Sequence, residues 1–508
     1  MANPQTIFDL LKAGDPAATA LAAPGRPDLS YRELAAHITT TVEVLNSRGI
    51  GRGDRIGIVL PNGPEMASAF LTLACGCTTA PLNPAYRTEE FEFYLSDINA
   101  KGLVIEQGGD TAAREAANQR GIPVLEIAAK PSDPAGVFEI VSTPERAKPA
   151  GSGGFTQPED VTLVLHTSGT TSRPKIVPLT NLNVTTSAYN IRRTLALTSS
   201  DRCLNIMPLF HIHGLIAAIL GSLSAGGSTY CTPGFNALKF FAWLEDATPS
   251  WYTAVPTMHQ AILARAGRSR DVIKNNPIRF IRSSSSSLPP QVMAELEEVF
   301  HAPVIEAYAM TESAHQITSN PLPPKPRKPG SVGVAAGPEV RIMDNRGDLL
   351  GPDQVGEIVI RGPNVTLGYE NNPQANAENF TNGWFRTGDQ GVMDADGYLR
   401  ITGRLKEIIN RGGEKVSPRE IDDVLMDHPA VQQVVTFAMP HAKLGEEIAA
   451  VVVLREGQTA TEKDIREFAG ARLADFKVPR KILFLDEIPK GPTGKLQRIG
   501  LADKLGLV

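Results

Sequence analysis

Cysteine is scarce: Cys75, Cys77, Cys203 and Cys231 are the only four in 508 residues, and no two form a C-x-x-C pair. That excludes a disulfide scaffold, and Cys75-Gly-Cys77 is not a structural zinc spacing, so buried thiols are expected. Long apolar runs are missing too. Stretches such as 215–220 fall far short of the ~20 residues that cross a bilayer. Nor does one sign of charge prevail, since 50 Lys and Arg face 55 Asp and Glu without a long basic block. Neither a nucleic-acid backbone nor a membrane is therefore an expected partner, and a small molecule is. The opening Met-Ala-Asn-Pro-Gln lacks a signal-peptide pattern and the final Gly-Leu-Val is not a peroxisomal tripeptide, so the expected location is cytoplasmic. Oligomeric state stays open between monomer and homodimer.

What is present is an ordinary globular composition, 42% apolar and 21% charged, over a length that calls for at least two domains. No internal repeat of useful length is visible. From 31 to about 238, helical patterns such as 32–48 alternate with short apolar runs at 56–60, 103–105 and 161–165. This predicts an α/β architecture with mainly parallel sheets. The Pro/Gly/Ser-rich stretch 148–158 reads as a loop, as does 320–330 with its five prolines and three basic residues. Beyond Arg404 the pattern changes. Helices are predicted at 419–426 and 463–473 and strands at 431–437, 448–454 and 481–485, enough for a small α+β domain.

The most informative stretch is Thr167-Ser168-Gly169-Thr170-Thr171-Ser172-Arg173-Pro174-Lys175, directly after the apolar run 161–165. Short hydroxyl donors, a glycine that lets backbone N–H groups approach an anion, and two cations together make a phosphate cradle. It is not a Walker A loop, because G-x-x-x-x-G-K-[ST] is absent.

Further segments follow in order: Pro208-Leu209-Phe210-His211-Ile212-His213-Gly214, Tyr308-Ala309-Met310-Thr311-Glu312-Ser313, Thr387-Gly388-Asp389, Gly403-Arg404-Leu405-Lys406-Glu407 and Pro492-Thr493-Gly494-Lys495. Each is weak alone. The ordered set resembles the adenylate-forming superfamily of acyl-CoA synthetases, luciferases and peptide-synthetase adenylation domains, over nearly the whole chain. The resemblance implies a large N-terminal domain, residues 1–404, with mainly parallel sheets plus a distorted barrel. It implies a small mobile C-terminal α+β domain, residues 405–508, that carries the catalytic lysine. It also implies a reaction in which a carboxylate and ATP form an acyl-adenylate and pyrophosphate, and the acyl group then passes to a thiol, usually coenzyme A. A carboxylate is a poor nucleophile toward a tetra-anion, so charge neutralisation and in-line positioning must carry most of the catalysis.

By the same resemblance, Thr167, Ser168, Gly169, Thr170, Thr171 and Lys175 hold the ATP phosphates, and Thr311 bonds a phosphate oxygen. Glu312 would hold Mg²⁺, a hard cation that suits carboxylate oxygen. Tyr308 belongs to the nucleotide site, where Asp389 accepts both ribose hydroxyls and Arg404 reinforces the sugar. Lys495 bridges the reacting carboxylate and the α-phosphate, and His211 joins it among the catalytic groups. Lys406 is the implied hinge between two catalytic poses. Gly412 and Gly413 are the residues that would let a thin pantetheine arm pass.

Ser172 and Ile176 depart from the glycines common in that loop, and the serine run 283–287 replaces a Gly/Ala/Pro-rich acyl-pocket segment. With His213, Ser285 and His315 as the expected substrate ligands, the pocket is polar. It suits a second carboxylate better than a fatty or aromatic tail. The strings at 91–97, 166–175, 251–257 and 410–415 are similar to the oxalyl-CoA synthetases of plants and fungi, which implies oxalate. Malonate is the near alternative, since its ligases share the Pro-Leu-Phe-His-x-His-Gly string. Ala307, however, stands where those enzymes carry an arginine for the distal carboxylate. Other short-chain or aromatic acids, loading of a carrier protein, and a nucleotide-binding regulator without catalysis are the remaining readings.

Overall fold

Ser30 opens the first long helix. Its side chain accepts from the Glu33 N–H while the Glu33 carboxylate accepts from the Ser30 N–H, which satisfies two backbone donors where the helix Tyr31–Ser47 begins. Leu34, Ile38, Val42 and Leu45 recur every three or four residues and are buried. Each such side chain contributes about 1.5–3 kcal/mol relative to exposure.

The computed structural model describes residues 5–141, 150–167, 174–490 and 496–507. A seven-stranded sheet runs, in spatial order, through Glu139–Ile140, Val124–Ala128, Gly102–Glu106, Arg55–Val59, Thr78–Pro81, Val161–Thr167 and Lys175–Thr180. Its interior pairs are parallel and both outermost pairs antiparallel. Ile56, Ile58, Leu103, Val104 and Ile105 are all buried, as the covered faces of a parallel sheet require.

A nine-stranded sheet orders Val334–Ala335, His315–Ser319, Val304–Met310, Phe280–Ser283, Trp251–Ala254, Arg202–Asn205, Ser228–Cys231, Thr19–Ala22 and Leu29–Ser30. It is parallel from Val304–Met310 to Thr19–Ala22 and antiparallel at its margins. A five-stranded antiparallel sheet, built from strands between Glu339 and Arg404, follows in the large domain. The small C-terminal domain has its own five-stranded sheet, with strands Ile409–Arg411, Glu414–Val416, Val431–His441, Gly445–Leu454 and Lys481–Phe484. The helices Pro418–Met426 and Glu462–Gly470 complete it. Gln260 joins it to the large domain, donating to the Gln432 carbonyl at 3.0 Å and accepting from Gln433 at 3.1 Å.

The apolar run 215–220 lies in the wholly buried π-helix His213–Leu220, where the Gly221 N–H reaches the Ile216 carbonyl five residues earlier. Such geometry recurs at functional sites. Among the described residues no helix is long and apolar enough to cross a membrane.

Candidate active site

The strand Val304–Met310 turns through Thr311–Ser313 into the antiparallel strand His315–Ser319, with Met310 opposite His315. One hairpin therefore carries Tyr308, Thr311, Glu312 and His315. Glu312 is buried in its turn, and that burial raises its carboxyl pKa. The Tyr369 hydroxyl, donating to Oε1 at 2.7 Å, works against the rise, as do the charges of Arg404 and Lys175. The Lys175 ammonium lies 4.4 Å from the centre of the Tyr369 ring. Thr167 and Lys175 are cross-strand partners, so the two ends of the expected phosphate cradle are neighbours. Ser168, Gly169, Thr170 and Thr171, with Ser172 and Arg173, lie outside the described residues. Tyr369 is a site residue that the sequence reading missed. A tyrosine within Leu367-Gly368-Tyr369-Glu370 carries no signal that separates it from a core aromatic.

Among the described residues no group of three or more His, Cys, Asp or Glu could form an all-protein metal cage. A buried carboxylate close enough to feel the charge of Lys175, at one end of the expected phosphate cradle, fits Mg²⁺, which is usually held by one or two carboxylates with substrate phosphates. Glu312 is the residue here that would hold it.

The second cluster is set by strand register. Asp389 in Trp384–Met393 pairs directly with Arg404 in Leu399–Arg404. Arg404 Nε donates to Asp389 Oδ1 at 2.8 Å, and the Tyr308 hydroxyl donates to Oδ2. The charge of Asp389 makes the Arg404 guanidinium still more basic, while burial and then Asp389 push the Tyr308 hydroxyl well up. The three residues expected around the nucleotide thus form one hydrogen-bonded group.

The third cluster unites three distant segments. His213 begins the π-helix, its Nδ1 3.0 Å from Ser285 Oγ and its Nε2 2.6 Å from Thr253 Oγ1. His315 stacks on it with ring centres 4.9 Å apart, and both imidazoles are buried. Ser285 and His315 hold φ of 73° and 101°, in the left-handed region that costs a residue with a side chain about 1–3 kcal/mol and recurs at functional sites. His211 lies alongside, its Nδ1 accepting from the His213 N–H at 3.3 Å.

Two members of this cluster were not foreseen. Thr253 and Arg282 are register partners on adjacent parallel strands beneath the π-helix. Arg282 is fully buried. Its Nη1 stands 3.4 Å from His213 Nε2 and 3.5 Å from Thr253 Oγ1, and its Nη2 3.4 Å from Gln316 Oε1. Burial lowers its guanidinium pKa to about 9. A signal existed in the sequence: an arginine inside the apolar strand run Phe280-Ile281-Arg282 is rare in a core, where arginine almost always has a purpose.

A cavity of about 300 Å³ opens between the two domains, with Ser285, Tyr308, Asp389, Arg404, Asp422 and Arg498 among its lining residues. Ser285 of the third cluster and Tyr308, Asp389 and Arg404 of the second share that space. Lys495 lies outside the described residues. Lys406 is exposed in the short 3₁₀ turn Leu405–Glu407, between the strand Leu399–Arg404 of one sheet and the strand Ile409–Arg411 of another. Gly412 and Gly413, with φ of 61° and 98°, form an exposed two-residue turn between Ile409–Arg411 and Glu414–Val416. They are not brought to the cavity. A Cβ on Gly413 would meet nothing within 4 Å, so here its requirement is the turn's positive φ.

Comparison with known proteins matches residues 11–370 to the AMP-binding enzyme family and residues 420–495 to the AMP-binding enzyme C-terminal domain. The chain is similar to an oxalate–CoA ligase of Arabidopsis thaliana, 46% identical over 486 residues that cover 94% of each protein. An oxalate–CoA ligase of Saccharomyces cerevisiae is 41% identical over 507 residues, 94% of this chain and 92% of that one. Among solved structures, ATP-bound MatB from Rhodopseudomonas palustris superposes with a TM-score of 0.87 at 29% identity over 99% of both chains.

Proposed function

The chain belongs to the AMP-binding enzyme family, and from that membership we propose that it is an ATP-dependent ligase joining oxalate to coenzyme A. The observation that carries the choice of acid is the group formed by buried His213 and His315 with half-buried Ser285, with Arg282 behind it. Burying the distal carboxylate of oxalate costs heavily unless donors meet it and positive charge lies near, and this pocket supplies both. A fatty or aromatic acid would leave the same donors unpaired.

In the proposed reaction an oxalate oxygen attacks the α-phosphorus of ATP and the bond to the pyrophosphate oxygen breaks, giving oxalyl-adenylate. The thiolate of coenzyme A then attacks the activated carbonyl carbon, and AMP leaves with the electron pair of the broken C–O bond. Thr167, Lys175 and the loop between them would hold the phosphates, with Thr311 on a phosphate oxygen. Mg²⁺, when bound, supplies charge neutralisation at those phosphates. Asp389 and Arg404 would hold the ribose, with Tyr308 fixing Asp389 beneath it. Lys495 would bridge the attacking carboxylate and the α-phosphate, with His211 close to the reacting centre.

Division of the chain after Arg404 follows from these roles. Lys495 belongs to the small domain and the phosphate cradle to the large one, so closure unites them and a rotation at Lys406 separates them for the thiol. Gly412 and Gly413, on an exposed turn here, would reach the pantetheine path only after that rotation. The four cysteines are free and buried, which suits a reducing compartment, so we place the enzyme in the cytoplasm.

The test is pyrophosphate release with ATP, Mg²⁺ and coenzyme A across oxalate, malonate, succinate, a medium-chain fatty acid and a cinnamic acid. Strong preference for oxalate supports the reading. Preference for a long or aromatic acid defeats it while leaving family membership intact.

A further inference from the structure

Arg282 is the one wholly buried residue of the acyl cluster that carries a fixed charge. Among the described residues it forms no ion pair with a carboxylate, and its Nε has no hydrogen-bond partner. Its remaining contacts are long ones to neutral groups, His213, Thr253 and Gln316. A buried cation satisfied so weakly is costly in a protein that has no use for it. Gln316 is oriented to keep it there: its Nε2 donates to Thr194 Oγ1 at 3.1 Å and to the Ala336 carbonyl at 3.0 Å, which turns Oε1 toward the guanidinium.

A guanidinium can only donate. The His213 nitrogen that faces it, Nε2, is therefore assigned as the acceptor, which makes the Thr253 hydroxyl, 2.6 Å away, a donor to it as well. The proton of the neutral ring is then on Nδ1, which donates to Ser285 Oγ across 3.0 Å. With its oxygen occupied as an acceptor, the Ser285 hydroxyl proton is directed onward, and Ser285 lines the cavity. A protonated imidazolium is opposed by the cation beside it. The lowered pKa of Arg282, about 9, still leaves it charged at neutral pH.

We propose that Arg282 is the specificity-determining cation of the pocket, a positioning residue that fixes the Nδ1–H tautomer of His213 and, through His213 and Ser285, favours an acid with a second carboxylate over a monocarboxylic one. This rests on the oxalate reading above. It adds that the discrimination comes from a charge lying behind the ligands and touching no substrate atom.

The experiment compares wild type, Arg282→Met and Arg282→Lys in ATP–pyrophosphate exchange with oxalate and with glyoxylate, a monocarboxylate of similar size. Arg282→Met is expected to lower kcat/KM for oxalate about a hundredfold, the cost of losing a desolvated charge. It should lower that for glyoxylate far less and leave the KM for ATP alone, while Arg282→Lys restores part of the oxalate preference. An unchanged oxalate-to-glyoxylate ratio in Arg282→Met overturns the proposal. Should that variant fail to fold, ¹⁵N spectra of the wild-type histidines, assigned with His213→Asn, read the tautomer directly, and a proton on Nε2 overturns it as well. A wild type that ignores oxalate would instead overturn the function proposed above, and the tautomer measurement would still stand by itself.

Discussion

Tyr369 donates its hydroxyl proton to Glu312 Oε1 across 2.7 Å, and that bond opposes the burial that raises the Glu312 pKa. The ionised carboxylate is the form that can meet a cation. Tyr369→Phe removes the donor, so the Glu312 pKa should rise further and the acidic limb of kcat/KM for MgATP should move to higher pH. A hydrogen bond to a charged group nets about 1.5–3 kcal/mol, so apparent Mg²⁺ affinity at neutral pH should fall about tenfold or more. An acid limb that stays in place in the folded variant would remove Glu312 from the metal site.

Asp389 binds Arg404 and Tyr308 at once and is 4% exposed. Asp389→Asn keeps the shape and removes the charge, leaving Arg404 without its partner and the ribose without a strong acceptor. Calorimetric titration with AMP should show binding weakened about tenfold or more. Arg404→Ala should cost less, because that side chain is 46% exposed. Equal AMP affinity in Asp389→Asn and wild type would contradict the ribose assignment.

Ser285 sits at φ 73°, where glycine is at ease. Ser285→Gly should release the strain and, after the extra freedom of the unfolded chain is deducted, stabilise the fold by about 0.5–1 kcal/mol in denaturant titration. The same change should lower kcat/KM for oxalate about tenfold with the KM for ATP unmoved. A variant that is both more stable and fully active would show that the hydroxyl does nothing for the substrate.

Lys495→Ala should slow oxalate-dependent adenylation by ~10²-fold or more, as for a lost preorganised charge. It should leave conversion of preformed oxalyl-adenylate by coenzyme A much closer to normal. Equal loss in both half-reactions would place the lysine elsewhere.

Much of this site could be read from the chain, and its failures are instructive. The strings at 91–97 and 166–175 stand out in sequence, yet only the fold puts His166 Nε2 3.0 Å from Asp97 Oδ2 with its ring edge-on to Tyr94. Arg279 and Arg282 look alike in their run. Arg279 reaches the surface and pairs with Asp201 at 3.1 Å, whereas Arg282 points under the π-helix. The positive φ of Ser285 and His315 was illegible, because neither is a residue that advertises it.

Sequence alone determined the order of the motifs, the alternation of strands and helices, and the chemical character of the pocket. Periodicity and side-chain type are local properties that survive without the fold. Only the tertiary structure decided which polar groups meet and in what state of protonation. Asp389 faces Arg404 through strand register, Tyr369 reaches Glu312 from 57 residues away, and Arg282 is buried because parallel strands and a covering helix close over it. Burial and register belong to the assembled sheets, and they set the pKa shifts and tautomers on which the proposed chemistry depends.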